Sequence, residues 1–386
     1  MFVLDEPYIS DFLYETIKKN NYSVLSNGMT KDKGLNLILD NEFVEFFGKN
    51  KKIYTNSENS IQKLFIYLED KKIAEWIKLF KDKTKFRKVL KNIYPNFFFE
   101  EVEYKDLKNL DKAKLKYPFV IKPSVGFLSM GVYTVFNPNE LDETRTKIDN
   151  FAQKNSGFFP KDVLNSNKFI IEEYIKGEEY AVDAYFDDNS NPVILNIFKH
   201  PFSDKYDVSD RMYITSGQII KDNLKDFENI LCKIGSLIGL NNFPLHIELK
   251  KDGNKIIPVE INPLRFAGWC TCDIAYYAYG INIYEYFMRN EKPVWDEILK
   301  DNNSVYAFVM GEVPCDINKN EIENFDINKF KKDTNAKILE ERTFDYLEKP
   351  VFCVLFIQAG DFEQIKDILK LNIKNYINMK TKTLLR

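Results

Sequence analysis

The chain is expected to be an α/β and α+β protein of more than one domain, and three observations lead there. At 386 residues it exceeds the size at which one hydrophobic core keeps growing, so two or three compact units are expected. Near its start, short apolar runs alternate with helical periodicity, the pattern of a small α/β unit. Far downstream, two alternating apolar–polar runs flank Asp252-Gly253-Asn254, the pattern of an antiparallel hairpin.

Composition excludes several function classes. A hydrophobic fraction of 44% with 15% aromatics describes a globular chain. The net charge of −3 leaves no basic footprint for nucleic acid. Five cysteines at irregular spacing indicate a reducing compartment instead of a disulfide framework. Cys270 and Cys272 form a C-x-C pair with no second pair or nearby His to complete a zinc site, so they read as idle thiols. No apolar run reaches ~18 residues and no basic-then-apolar leader opens the chain, so a cytoplasmic protein without a membrane span is expected.

Taken in order, Phe2–Asp5 reads as a strand, Tyr8–Asn20 as a helix with Ile9, Phe12, Leu13 and Ile17 on one face, and Tyr22–Leu25 as a second strand. No G-x-G-x-x-G accompanies them, so nothing here signals a dinucleotide. Helical spacing runs from Ser57 to Ile93, mostly core, and includes the basic stretch Asp82–Pro95. Pro118–Pro123 is a strand ending in Lys122, a residue that a buried strand seldom carries without a partner. The loop after it holds Gly126, Ser129 and Gly131; its glycines allow backbone N–H groups to close around phosphate oxygens, although the Walker K-[ST] is absent.

Phe169–Asp188 reads as two strands broken at Lys176-Gly177, and its Glu172 and Glu179 stand seven positions apart. Pro192–His200 is a strand and Pro201–Ser216 a polar loop. Its Asp207, Asp210 and Arg211 are either substrate contacts or solvated residues. Leu224–Leu240 and the aromatic Asp273–Met288 read as helices. The tail offers strands at Val305–Glu312 and Val351–Gln358 and a helix at Asp361–Tyr376, with no site motif. His200 and His246 read as ordinary polar residues.

The hairpin carries the chemistry. Leu245, Ile247 and Leu249 alternate with His246, Glu248 and Lys250, while Val259 and Ile261 alternate with Glu260 and Asn262. In the register that keeps apolar residues together, two carboxylates and a carboxamide converge on the polar face. A plain surface hairpin would more usually carry Lys, Thr and Ser outward. Hard oxygen donors of this kind suit Mg²⁺, and Arg265, three positions on, can hold a phosphoryl group or a carboxylate.

Together these segments, in this order, resemble the ATP-grasp superfamily, most closely its carboxylate–amine ligases; the resemblance covers Lys83 to Met288. It implies residues 1–80 as a small N-terminal α/β domain, 81–175 and 176–300 as the two ATP-binding lobes, and 301–386 as a C-terminal lid or packing element. It implies Lys83, with Lys85 close by, and Lys122, Gly126, Ser129 and Gly131 on the nucleotide phosphates. Glu172, Tyr174 and Ile175 fall at adenine, and Glu179 at ribose. Glu248, Glu260 and Asn262 would hold Mg²⁺, or Mn²⁺ in its stead. Arg265 and Lys122 would be catalytic, and Asp207, Asp210, Arg211 and Arg265 would meet the substrate. The implied reaction joins a small carboxylate to an amine through an acyl phosphate, with ADP and phosphate released; a homodimer is a common form. A small-molecule kinase, a bicarbonate-using carboxylase and a non-catalytic nucleotide-binding protein are the alternatives on the same parts.

Overall fold

Short apolar segments separated by helices build a parallel sheet at the N-terminus. In the computed structural model, which describes residues 1–68, 71–126, 130–155, 167–202 and 209–380, strands Phe2–Val3, Ser23–Leu25, Asn36–Ile38 and Tyr54–Thr55 pair in the order third, second, first, fourth. The first helix, Asp11–Lys19, begins where the Ser10 hydroxyl accepts the Leu13 N–H at 3.1 Å, which satisfies one orphan donor of its first turn. Leu13 and Ile17 enter the core as their spacing requires. The helical stretch from Ser57 to Ile93 is three helices, Glu58–Leu68, Lys72–Lys81 and Lys83–Leu90. Asp82 breaks the last two: its backbone is extended, and its carboxylate accepts the Lys85 N–H to start the third.

Contacts divide the chain into two units, Met1–Val193 with Asp226–Trp269, and Ile194–Lys225 with Cys270–Arg386. Besides the parallel sheet, the first unit holds a four-stranded antiparallel sheet in the order Phe99–Glu103, Lys168–Glu173, Phe119–Pro123, Tyr133–Val135. Period-two alternation sorts its faces. Phe119, Ile121, Phe169 and Ile171 join Val102, Val135, Leu141 and Ile148 in a core, which leaves Lys122 and Glu172 on the opposite face.

The same unit holds the hairpin Phe243–Asp252/Lys255–Pro263, turning at Gly253 (φ +57°), with Glu178–Phe186 antiparallel along its other edge. Gly177 precedes that strand at φ +102°, where a Cβ would lie 2.2 Å from the Lys251 carbonyl oxygen. Only glycine allows so close an approach.

In the second unit, strands Pro192–His200, Met212–Ser216, Val305–Glu312, Val351–Ala359 and Lys337–Thr343 follow one another in antiparallel order. Ile322–Phe325 pairs separately with Ile377–Met379. Several expectations change here. The end of the polar loop, Met212–Ser216, is a fully buried strand. The aromatic helix is two, Ile274–Tyr279 and Ile283–Arg289, because Gly280 turns left-handed (φ +70°) and Asn282 caps the second. Tyr276, on the first of these helices, is 46% exposed, although an aromatic helix is expected to pack into the core. The closing helix, Phe362–Leu369, ends early. Helix Ile327–Thr334 and strand Lys337–Thr343 were not expected, since both are short and largely polar. Cys270, Cys272 and Cys353 are buried cysteines. No helix among the described residues is long and apolar enough to cross a membrane.

Candidate active site

The hairpin adopts the register that its apolar residues demand. Glu248 lies opposite Glu260 and His246 opposite Asn262, with a bulge directly after Glu248. Leu245, Ile247 and Leu249 are fully buried on one face; Glu248, Glu260 and Asn262 share the other. Two carboxylates and an amide oxygen form the donor set for an ion that keeps water and phosphate oxygens in its remaining positions, as Mg²⁺ does. Among the described residues no group of three or more His, Cys, Asp or Glu gathers as a fuller metal site.

Cations converge on this face from two directions. Helix Lys83–Leu90 is tied to the strand bearing Lys122 by the Lys83 N–H, which donates to the Ser124 carbonyl at 2.8 Å. The Lys83 ammonium then reaches Glu260 Oε2 at 3.0 Å and donates to the Gly126 carbonyl at 3.1 Å. Arg87 stands one turn on, on the same helix face. Its Nε donates to Glu172 Oε2 at 2.7 Å, and its Nη1 donates to the Pro258 carbonyl at the bulge. Lys122 Nζ meets the other Glu172 oxygen at 2.5 Å.

Burial sets the protonation states. It favours the neutral form of every group here, and the pairs decide which groups resist it. Burial raises the Glu172 carboxyl, but Arg87 and Lys122 outweigh it and hold the pKa at about 2. Glu260 is likewise lowered against burial by Lys83, Lys122 and Arg265. Lys83 is raised against burial by Glu260, Glu248 and Glu172. Lys122 goes the other way: burial, reinforced by Arg87 and Lys83, lowers it despite Glu172.

Arg265 sits on the loop after the hairpin. Its Nη2 donates to Asn262 Oδ1 at 2.7 Å and its Nη1 to the Phe266 carbonyl at 3.1 Å. Its Nε is 3.5 Å from Glu58 Oε1. Asp183 Oδ1 accepts the Ala267 N–H and pairs with His246 Nδ1, both at 2.8 Å, which ties this loop to the neighbouring strand.

The other expected residues fall out as follows. Glu179 stands opposite Lys250 and pairs with it at 3.4 Å, and Lys250 also lies over the Tyr174 ring. Tyr174 and Ile175 lie in the link between strands Lys168–Glu173 and Glu178–Phe186. Gly126 lends its carbonyl to Lys83. Gly131 is left-handed at φ +72°, and a Cβ there would meet the Phe151 ring at 2.8 Å, so packing already requires glycine. Lys85 is exposed and turns to Asp82. Ser129 and Asp207 lie outside the described residues.

Two of the expected residues have protein partners of their own. Glu172 was expected at adenine; both its oxygens are engaged by Arg87 and Lys122, and it is 2% exposed. Arg211 was expected at the substrate; its guanidinium donates to the carbonyls of Leu369 and Leu371 at a helix end in the second unit. Asp210, also in that unit, accepts the Tyr213 hydroxyl at 2.6 Å. Arg87 and Glu58 were missed. The spacing of Arg87 from Lys83 was a legible signal, since four positions on a helix share a face; nothing local marks Glu58.

Residues 115–273 match the family model of the ATP-grasp domain. The chain carries an ATP-grasp domain. The matched span contains Lys122, Glu172, Glu179, the hairpin and Arg265. The D-alanine–D-alanine ligase of Petrotoga mobilis is 28% identical over 123 residues, a match spanning 32% of this chain and 36% of that protein. Solved structures extend the ATP-grasp fold over more of the chain. The L-amino acid ligase of Bacillus licheniformis has a TM-score of 0.64 at 16% identity and covers 98% of both chains. The biotin carboxylase domain dimer of the Hydrogenobacter thermophilus 2-oxoglutarate carboxylase, in complex with magnesium ADP, ADP and bicarbonate, has a TM-score of 0.56 at 13% identity, covering 87% of this chain and 80% of that one.

Proposed function

We propose that the protein is an ATP-dependent carboxylate–amine ligase that forms an amide through an acyl phosphate. One observation carries the reading: Glu248, Glu260 and Asn262 share a hairpin face on which Lys83 meets Glu260 and Arg265 meets Asn262. The D-alanine–D-alanine ligase match and the fold of the L-amino acid ligase support the reaction class. The magnesium ADP in the carboxylase domain supports the nucleotide and the metal.

In this reading Mg²⁺ on Glu248, Glu260 and Asn262 supplies charge neutralisation at the nucleotide phosphates. Lys83, on the same face, balances further phosphate charge. Glu179 accepts from the ribose hydroxyls, and the backbone of Tyr174 and Ile175 meets adenine. Arg265 commits one N–H of Nη1 to the Phe266 carbonyl on its own loop and one of Nη2 to Asn262 on the hairpin strand, and keeps another on each. That remaining pair suits the two oxygens of a carboxylate or a phosphoryl group.

A carboxylate oxygen of the acid attacks the γ-phosphorus and ADP leaves. The amine nitrogen then attacks the acyl carbon, loses a proton, and phosphate departs. No protein nucleophile is required. A kinase acting on a hydroxyl would need a general base beside its acceptor, and no residue on this face is assigned that part.

The test incubates the protein with ATP, Mg²⁺, hydroxylamine and pools of amino and dicarboxylic acids. Acid-dependent hydroxamate, with ADP and phosphate, is expected and names the acid. A stable phosphorylated product without free phosphate or hydroxamate would replace the ligase with a kinase.

A further inference from the structure

The reading above leaves the small N-terminal parallel sheet without a task, yet one of its strands meets the residue before Arg265, and the helix after that strand reaches Arg265 itself. After strand Tyr54–Thr55 the chain is locked in place. Asn56 donates to the Asp5 and Tyr8 carbonyls at 2.6 and 2.8 Å, and its Oδ1 accepts from the Asp5 N–H and the Ser60 hydroxyl. From this support two contacts reach the loop that follows the hairpin. The Thr55 N–H and hydroxyl both donate to the Leu264 carbonyl, at 2.7 and 3.1 Å, and Leu264 is left-handed at φ +58°. Three residues on, Glu58 pairs with Lys81 and places Oε1 3.5 Å from Arg265 Nε. That Nε is buried with no hydrogen-bond partner among the described residues, so Glu58 is the anion it faces.

We propose that Glu58 is a positioning residue for Arg265, through which the N-terminal domain sets the angle of the guanidinium fork toward the reacting carboxylate. The inference rests on the role given to Arg265 above. An Arg side chain has many rotamers, and a fork is useful only when held within ~10–20° of its working geometry. Asn262 and the Phe266 carbonyl hold the terminal nitrogens, and Glu58 holds the remaining edge. Arg265 also has a competing anion, because Glu260 lies close enough for the two charges to interact. Without Glu58, Arg265 is drawn toward Glu260 and crowds a carboxylate needed for the metal. The paired Lys81 keeps Glu58 ionised against its burial.

The alternative role is purely structural, with Glu58 serving only to neutralise Lys81. Two readouts on the full chain separate them. The first is the ¹⁵N–¹H signal of Arg265 Nε, assigned by its loss in Arg265→Lys. Glu58→Gln is expected to move it and speed its solvent exchange by about tenfold or more, since a charge-assisted contact is replaced by a neutral one; Lys81→Met is expected to leave it in place. An unmoved signal in Glu58→Gln overturns the proposal, whatever reaction the protein catalyses.

The second readout is kinetic and uses the acid selected by the hydroxamate screen, or ADP release if no hydroxamate forms. Glu58→Gln should lower kcat by roughly 10–100-fold through misplacement of the fork, with the KM for ATP changed less than about twofold and Glu58→Asp recovering part of the loss. In an Arg265→Lys background the same change should cost no more than about twofold, because coupled residues do not add. An equal loss in both backgrounds would show that Glu58 acts elsewhere.

Discussion

Glu172 and Glu260 are both carboxylates on polar faces within one unit, each facing cations, yet their surroundings give them opposite duties. Glu172 is enclosed, with one oxygen on Arg87 and the other on Lys122. Glu260 keeps 23% of its side chain exposed and meets a single lysine at 3.0 Å. A carboxylate with both oxygens engaged by fixed cations is a fastener. One with an exposed edge and a single lysine in contact is open to a further partner. Identical chemistry thus differs in how completely each group is satisfied, and the proposed division into support and ligand rests on that difference.

Removing the exposed carboxylate should produce the largest effect on activity. Glu260→Ala is expected to lower ADP formation by roughly 10³-fold, the several kcal/mol that a correctly held divalent ion contributes, while circular dichroism and thermal unfolding stay near wild type. Turnover close to wild type in that variant would discard the metal assignment.

Removing the enclosed one should instead weaken the fold. Glu172→Ala strands two buried cations, a loss of roughly 3–5 kcal/mol, to be read by urea unfolding at neutral pH. The sign with pH follows from its depressed pKa, about 2 against 4.5. Its contribution is complete above pH 4.5 and is lost as pH falls toward 2. Wild type should therefore lose stability through that window, and Glu172→Gln should lose less there. A variant that parallels wild type down to pH 2 would break the contrast with Glu260.

Glu179 sharpens the comparison from between, since it is 14% exposed and its lysine is 3.4 Å away. If it serves the ribose, Glu179→Ala should weaken ATP binding by about 10–100-fold at ~1.5–3 kcal/mol for a charge-assisted hydrogen bond, with little change in melting temperature. Unaltered affinity by calorimetry would return it to the supports. The smallest effect is expected at Lys83. A divalent ion and an ammonium 3.0 Å from one carboxylate repel each other, so Lys83→Gln should tighten Mn²⁺ binding without nucleotide by a few-fold, on the order of 1 kcal/mol. Paramagnetic titration would measure it. Weaker Mn²⁺ binding would mean that Lys83 helps assemble the metal face.

The hairpin was legible because alternation is local. Leu245, Ile247 and Leu249 needed one face, which put Glu248 on the other; the bulge after Glu248 then set it opposite Glu260 and His246 opposite Asn262. The strand bearing Lys122 was legible for the same reason. The aromatic segment at Asp273–Met288 was misjudged because a left-handed Gly280 outweighs apolar periodicity. Arg87 shares a helix face with Lys83, four positions back, but that spacing does not tell which carboxylate it will meet.

By itself the sequence determined which faces its strands and helices present, and therefore which carboxylates, lysines and amide could share a surface. Tertiary structure alone decided which of them would be used up against one another. Arg87 meets Glu172 across 85 positions and the bulge at Pro258 across 171, and Glu58 faces Arg265 from the first turn of a helix far away in sequence. Pairing of that kind depends on distances of a few ångströms in a low-dielectric interior, where a charge must find a counter-charge or be expelled. Periodicity records which way a side chain points, and only packing settles what it finds there.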